Sequence, residues 1–440
     1  MKKQLILLEL NELNMTFVEH YITKGYLPQF ARLIREHGYC QTTSEDEYEN
    51  LEPWIQWVTA HTGKTLSEHG IFRLGDACGK SLDQIWERLE RTHGIKVGAV
   101  SPMNAENRLI DPAFFVPDPW TDTPSSTQFL VPQLAAAISQ MVNDNAHGRM
   151  TVSSIASVIA GLVKFGRVDS YGQYLRSGLR AVKHPWSRAL FLDRLLADVF
   201  MSLHQDSQPE FSSLFLNAGA HIQHHYMFGS SAYEGKLTNP EWYLSQNCDP
   251  VLEVYQLYDT VIGSILEMAG GARLMLATAL HQEPHEQLTY YWRLTQHESF
   301  LRGLGIPFSK VSPRMSRDFL ITCETAADAD ETERRLRSAY SLSDREPMFS
   351  IDNRGNELFV TLTYAHDIGS NFEVHLDGVT LSNFKKEVSF VAIKNGRHSG
   401  IGYFCDTNST PADLPHEFPL AKLPSMIEDH FGSNLEPINR

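Results

Sequence analysis

The run Glu52-Pro53-Trp54-Ile55-Gln56-Trp57-Val58-Thr59-Ala60-His61-Thr62-Gly63-Lys64-Thr65-Leu66-Ser67-Glu68-His69-Gly70-Ile71-Phe72 crowds tryptophan and histidine into one short stretch. Trp54 and Trp57 are three apart, which fits one helix face and reads as core packing. Thr62-Gly63 reads as a structural break. His69 reads as a residue that caps or packs the turn before Gly70.

On either side the chain alternates strand and helix. Leu5 to Leu10 is a continuous apolar run, the signature of a strand buried on both faces of a parallel sheet. A helix-like segment follows, ending near Leu27-Pro28. Pro28 to Gly38 has apolar residues at helical spacing, with proline in the first turn and glycine at the C-cap. Ser81 to Thr92 repeats the pattern, with Leu82, Ile85, Trp86 and Leu89 on one face and Gly94 as the stop. Ile95 to Ser101 is the next short strand. Strand, helix, strand with short links is βαβ grammar. Ser212 to Leu216 and Leu274 to Ala277 are further buried strands, separated by a helix from Val251 to Met268 that Gly270-Gly271 ends.

Two stretches depart from this grammar. Residues 125–210 are helix-rich, with Arg and Lys scattered among Ala, Val and Leu, and predict a helical insertion. Residues 285–388 predict an α+β insertion, whose character is set from about residue 315. It has a strand at Arg317 to Cys323, a charged helix from Asp328 to Tyr340, and a hairpin from Pro347 to Thr363 turning at Asn353-Arg354-Gly355-Asn356. Phe390 to Ile393 is expected to return to the main sheet, and a terminal helix covers Pro424 to Phe431.

Composition narrows the partners. The chain has 440 residues, 42% apolar and 21% charged, with a net charge of −15, which suits a globular protein and gives no counterion-release attraction to nucleic acid. The five cysteines, Cys40, Cys78, Cys248, Cys323 and Cys405, lie far apart without a CxxC pair. Free thiols in a reducing compartment follow, and the expected location is cytoplasmic. Glu9 and Glu12 interrupt the N-terminal apolar run, so it is not read as a signal peptide, and no 18-residue apolar stretch predicts membrane insertion. Nothing in the pattern sets the oligomeric state.

The order of the chemistry-bearing segments resembles the alkaline phosphatase superfamily, and within it the type I phosphodiesterase/nucleotide pyrophosphatase branch. Leu5-to-Glu12 resembles the first strand, which there ends in a metal-binding Asp. Pro28-to-Gly38 resembles the helix that follows, and Thr62-Gly63 to Ile71 the first active-site segment. Phe215-Leu216-Asn217-Ala218-Gly219-Ala220-His221-Ile222-Gln223-His224-His225-Tyr226 resembles the Asp-x-x-x-His segment. Asn395-Gly396-Arg397-His398-Ser399-Gly400-Ile401-Gly402 resembles the last His ligand and its glycine-rich strand. The resemblance implies an α/β fold: a mainly parallel sheet with helices on both faces, spanning 1–440 and carrying the insertions at 125–210 and 285–388.

The departures shape the expected site. Asn11 stands where the first Asp is expected, Glu52-Pro53 where the Thr or Ser nucleophile is expected, and Asn217 or Ala220 where another Asp is expected. Thr278-Ala279-Leu280-His281-Gln282-Glu283 replaces a Ser-Asp-His-Gly. A two-zinc site needs about six carboxylate and imidazole ligands, so it is not expected. Candidate metal ligands are His221, His224, His398 and Glu9, holding one divalent ion, Zn²⁺ or Mn²⁺. His225 and Glu283 lie nearby in the pattern. Candidate catalytic residues are Glu52, Asn11 and His281; without metal, one His serves as general base and another as a cation. The glycines at 396, 400 and 402 read as sites of close backbone packing. The implied function is a divergent phosphodiesterase- or phosphatase-like hydrolase or transferase acting on a small anionic ester. The alternative is a catalytically degenerate relative that binds an anionic ligand or a protein.

Overall fold

The computed structural model describes residues 3–143, 151–314 and 317–432. The boundary expected at about residue 315, part of the helical insertion and the first two residues fall partly outside these. The chain divides into two compact units, one of residues 1–234, 246–284 and 396–440, the other of 235–245 and 285–395.

The first unit is built on one sheet. Its strands are β1 (Leu5–Leu10), β2 (Cys40–Thr43), β3 (Val97–Val100), β4 (Phe114–Val116), β5 (Phe211–Leu216) and β6 (Arg273–Ala277). The helices are α1 (Met15–Thr23), α2 (Pro28–His37), α3 (Pro53–Thr62), α4 (Leu66–His69), α5 (Ile85–His93), α6 (Val131–Asn143), α7 (Val152–Phe165), α8 (Tyr171–Arg180), α9 (Ser187–Ser207), α10 (Ala218–Tyr226) and α11 (Pro250–Ala269). β1 is central and parallel to both β5 and β6, and β5, β3 and β4 continue in parallel. Every residue of β1 is buried. That is why it reads as an apolar run, broken only by Glu9, rather than an alternation.

Alternation still decides where its side chains go. Leu5 and Leu7 pack with Trp57 and Ala60 of α3 and Trp86 of α5 in one core layer. Glu9 and Asn11 share that odd-numbered face. On the other face α9 lies against β5 and β3, where His204 meets Ser212 at 3.0 Å.

Glycine and proline set the local breaks as the sequence predicts. Pro28 begins α2 and Pro53 begins α3; Gly63 ends α3 at φ 73°, a left-handed cap that favours glycine. Thr62 Oγ1 donates back to Val58 O at 2.7 Å. Trp57 is fully buried, and Trp54 is partly buried with its Nε1 donating to Phe72 O.

The second unit has its own core around Trp292, Phe319, Phe349 and Leu358. Chain order gives β7 (His281–Leu294), α12 (His297–Gly303), β8 (Lys310–Pro313), β9 (Asp318–Thr322), α13 (Ala326–Arg337), β10 (Tyr340–Ser341), β11 (Phe349–Asn353), β12 (Glu357–Leu362), β13 (Val374–Leu376), β14 (Val379–Leu381) and β15 (Val388–Ser399). β11, β12, β9 and β8 form one antiparallel sheet, and β10, β13 and β14 another. The hairpin turn falls between Asn353 and Glu357.

One expectation is corrected. Phe390 to Ile393 does not join the main sheet; it lies in β15, which pairs with β7 in a separate two-stranded ribbon. An aromatic cluster holds it there, since the Phe390 ring lies 5.1 Å from Trp242, 5.7 Å from Tyr243 and 5.5 Å from Trp292. The main sheet is completed instead by β16 (Ile401–Asp406), antiparallel to β6 and β2, and by β17 (Glu417–Pro419), with α14 (Leu423–Gly432) beside α3 and α5. Gly402 admits β16 at this position, because a Cβ there would strike Thr42 Oγ1 and the Ala279 backbone.

Candidate functional site

Three parallel strands end in the same way. The chain turns through a left-handed residue at Glu12 after β1 (φ 59°), Ser101 after β3 (φ 58°) and Ala279 after β6 (φ 59°). Non-glycine residues reach this conformation at a cost and cluster where function demands a particular geometry. The carboxyl ends of parallel strands are also where such sheets form their ligand crevice.

At that edge Glu12, His224 and His398 converge. Glu12 Oε2 lies 3.5 Å from Nε2 of His224 and 3.5 Å from Nε2 of His398. The two Nε2 atoms are 3.2 Å apart. Ligands at about 2.0–2.2 Å from a tetrahedral zinc stand roughly 3.3–3.6 Å from one another. The donor types and their spacing therefore fit one divalent ion. The Glu12 side chain is 1% exposed, His398 13% and His224 29%, so the group is rooted inside and opens outward on the histidine side.

Each donor is held from behind. Glu12 accepts from the Gln282 amide and from Asn11 Nδ2, and its backbone carbonyl accepts from Gln223 Nε2 at 2.8 Å. Burial pushes the Glu12 carboxyl up to about 8, opposed by Gln282 and reinforced by Glu52. His398 presents Nδ1 to Glu52 Oε2 at 3.8 Å. A Cβ at Gly396, two residues earlier, would displace the Gln282 amide and press on the Gln223 carbonyl.

His224 rides on α10, whose first turn is capped from another helix. Asp193 of α9 accepts from the backbone N–H of Ala218 at 2.7 Å and of Asn217 at 3.3 Å, and Tyr258 OH accepts from Gly219 N at 2.7 Å. Burial raises Asp193 to about 6 against the pull of these donors. Asn217 does not cap the helix with its own side chain, because its Oδ1 accepts from Asn11 Nδ2 at 2.7 Å. Asn11 Oδ1 in turn accepts from Trp57 Nε1 at 2.7 Å. The two asparagines thus form a neutral, mutually bonded pair where carboxylates were expected.

Of the residues expected at the site, His224 and His398 come together and Glu52 stands beside His398. Asn11 touches Glu12 and braces the floor. Glu9 does not join them: it is fully buried on the α3 face of β1, with Oε1 2.7 Å from His61 Nε2. His221 is absent from the three-donor group; its ring lies 5.0 Å from that of His225 along α10. His281 is buried with Nδ1 2.6 Å from Ile401 O, which makes Nδ1 the donor and leaves Nε2 as an acceptor, 3.7 Å from Glu283. Glu283 also pairs with Arg397 at 3.3 Å. His69 sits beneath the turn, with Nδ1 accepting from Ile71 N at 3.0 Å and Nε2 facing Thr59 Oγ1 at 3.2 Å.

Sequence reasoning missed Glu12. Its signal was its place two residues past the last residue of β1, where the chain must turn at the crevice edge.

No protein-family profile and no curated protein matches the chain. Solved structures do. The chain is similar to phosphonoacetate hydrolase from Sinorhizobium meliloti 1021 in complex with phosphonoformate, at 11% identity and a TM-score of 0.49, covering 98% of this chain and 96% of that one. It is similar to human ectonucleotide pyrophosphatase/phosphodiesterase 5, at 11% identity and a TM-score of 0.47, covering 99% and 97%. It is also similar to alkaline phosphatase from the Antarctic bacterium TAB5, at 11% identity and a TM-score of 0.41, covering 98% of both chains. All three are members of the alkaline phosphatase superfamily.

Proposed function

We propose that the chain is a hydrolase of small anionic phosphoesters built on one divalent metal ion, held by Glu12, His224 and His398. The observation that carries this reading is the donor triangle of 3.5, 3.5 and 3.2 Å at the carboxyl edge of the sheet. An ion bound there supplies a Lewis acid to a phosphoryl oxygen. The rest is the work of the chain. Glu52, 3.8 Å behind His398 Nδ1, sets a carboxylate charge on that side of the ring and favours a proton on Nδ1, so that Nε2 faces the donor group, as carboxylates behind metal-bound histidines do. Arg397, next in the chain to His398 and paired with Glu283 at 3.3 Å, supplies a guanidinium charge for the ester's anionic oxygens. His281, locked by Ile401 and kept neutral by burial, keeps Nε2 able to take a proton. The Asn11–Asn217 amide pair supports one ion rather than two, since neutral amides bonded to each other offer no charge to a second dication. Five free thiols support a cytoplasmic setting.

The test is hydrolysis of chromogenic phosphomonoesters and phosphodiesters by metal-stripped protein, before and after addition of Zn²⁺ or Mn²⁺, beside His398→Gln. Metal-dependent turnover lost in the variant is expected. Metal-loaded protein that turns over none of them, yet is stabilised thermally by phosphate, would replace the hydrolase with an anion-binding protein.

A further inference from the structure

The helical insertion contains a surface that the proposed chemistry does not use. On α7, Val152, Ile155, Ile159 and Val163 are exposed by 84%, 45%, 56% and 73%. Their spacing places them in one stripe along the helix. On α8, Tyr171, Leu175 and Leu179 repeat this at intervals of four, with Val182 just beyond the helix end, and are exposed by 42%, 66%, 73% and 87%. Both helices rest against α9 with other faces, through residues such as Val158, Phe165 and Tyr174. Solitary exposed apolar residues are ordinary; two helices in succession that each turn a continuous apolar stripe outward are not.

The charge of the same segment selects a partner. Residues 151–190 carry six lysines and arginines against one aspartate, in a chain whose net charge is −15. Asp169 pairs with Arg167 at 3.2 Å, and Lys164 and Arg180 pair with Asp206 and Glu253 outside the segment at 3.8 and 2.7 Å. Arg176 and Lys183 are exposed beside the α8 stripe. A second copy of the chain is disfavoured, since a two-fold contact would bring the same basic segments face to face. A protein core is not what two short stripes flanked by basic residues fit best. Apolar side chains with lysine and arginine at their margins suit the boundary between acyl chains and anionic headgroups. α7 has 14 residues and no helix among those described is long and apolar enough to cross a membrane, so attachment is lateral.

We propose that α7 and α8 are a docking surface for an anionic lipid bilayer, lying in its interface without spanning it. The test is flotation of the full-length protein with vesicles of phosphatidylcholine alone and with a minority of phosphatidylglycerol. The parent floats with the anionic vesicles, less with neutral ones, and less as salt is raised. The doubles Leu175→Ser/Leu179→Ser, Ile159→Ser/Val163→Ser and Arg176→Glu/Lys183→Glu each lower the partition coefficient by about tenfold or more. They keep the parent's circular dichroism, because the altered side chains are exposed. A parent that floats with neither vesicle overturns the proposal, as do three variants that float as the parent does. A parent that is dimeric, fails to float and becomes monomeric on Leu179→Ser assigns the surface to a second copy instead.

Discussion

His224 and His398, 174 residues apart in the chain, face each other through their Nε2 atoms at 3.2 Å. Two imidazoles held this way need either a shared proton or a shared cation. Glu12 Oε2, 3.5 Å from both, completes a group that a cation satisfies at once. Purified protein is therefore expected to hold one equivalent of zinc or manganese. His224→Ala should weaken binding by more than the roughly 10–100-fold that loss of an outer partner costs. Elemental analysis and competition with a chromogenic chelator check both; two equivalents in the parent would mean that the Asn11–Asn217 pair is not the end of the donor set.

Glu12→Gln is expected to remove metal binding while leaving the fold intact. Gln keeps the size of Glu12, so its neighbours Asn11 and Gln282 can remain in place. It removes the only carboxylate oxygen among the three donors. Isothermal titration with Zn²⁺ alongside a thermal melt separates the two effects. A variant that binds as tightly as the parent would show that the carboxylate is not a ligand.

No covalent phosphoserine or phosphothreonine is expected at the position where the resemblance implies a nucleophile. Glu52 occupies it, followed by Pro53. The threonines that follow on α3 are committed elsewhere: Thr59 faces His69 at 3.2 Å, and Thr62 donates to Val58 O. Both threonines are buried. Rapid acid quench with a labelled phosphodiester, followed by peptide mapping, tests this. Label on Thr59 or Thr62 would refute it.

How far the sequence reached depends on what physical signal each feature leaves in it. β1 is legible because burial on both faces leaves an apolar run that only Glu9 breaks. α2 and α3 are legible because proline and glycine mark their ends. His224 and His398 are legible by residue type and order. Glu12 is not, because strand periodicity draws attention to Glu9 and Asn11, whereas Glu12 lies where the chain has left the strand through a left-handed turn. Nor is the cap of α10, since Asp193 reaches Ala218 from 25 residues away and no local pattern records it. Phe390 to Ile393 misled because apolarity states that a strand is buried, not which sheet buries it. β2 is obscured by its brevity, since four residues leave little pattern.

The pH dependence of stability has a sign that His69 fixes. Burial lowers it from 6.5 to about 4, against the pull of Glu68. The unfolded chain therefore takes up this proton first. The stability contributed by a neutral His69 is fully present above pH 6.5 and is lost as pH falls through about 4. Melting temperatures of the parent and His69→Gln, measured across this range, should differ by a constant amount above 6.5 and converge below it. A gap that widens on acidification would contradict the assignment.

Glu52 and His398 provide the decisive comparison, because they meet at the site itself. Glu52 Oε2 stands 3.8 Å from His398 Nδ1, the nitrogen that does not enter the donor group. Glu52→Gln keeps the size and loses the charge that favours Nδ1–H, so metal affinity should fall roughly 10–100-fold, with full occupancy recovered at higher metal. His398→Ala removes a donor, so occupancy should not recover. Both side chains lie at the crevice, and each substitution should change fold stability in the absence of metal by no more than about 1 kcal/mol. Stabilisation by metal follows mass action, so the thermal shift should be displaced along the concentration axis in the first variant and absent in the second. Melting both with and without Zn²⁺ distinguishes the roles. If both variants instead melt far below the parent and respond to Zn²⁺ as it does, the pair is structural and the metal lies elsewhere.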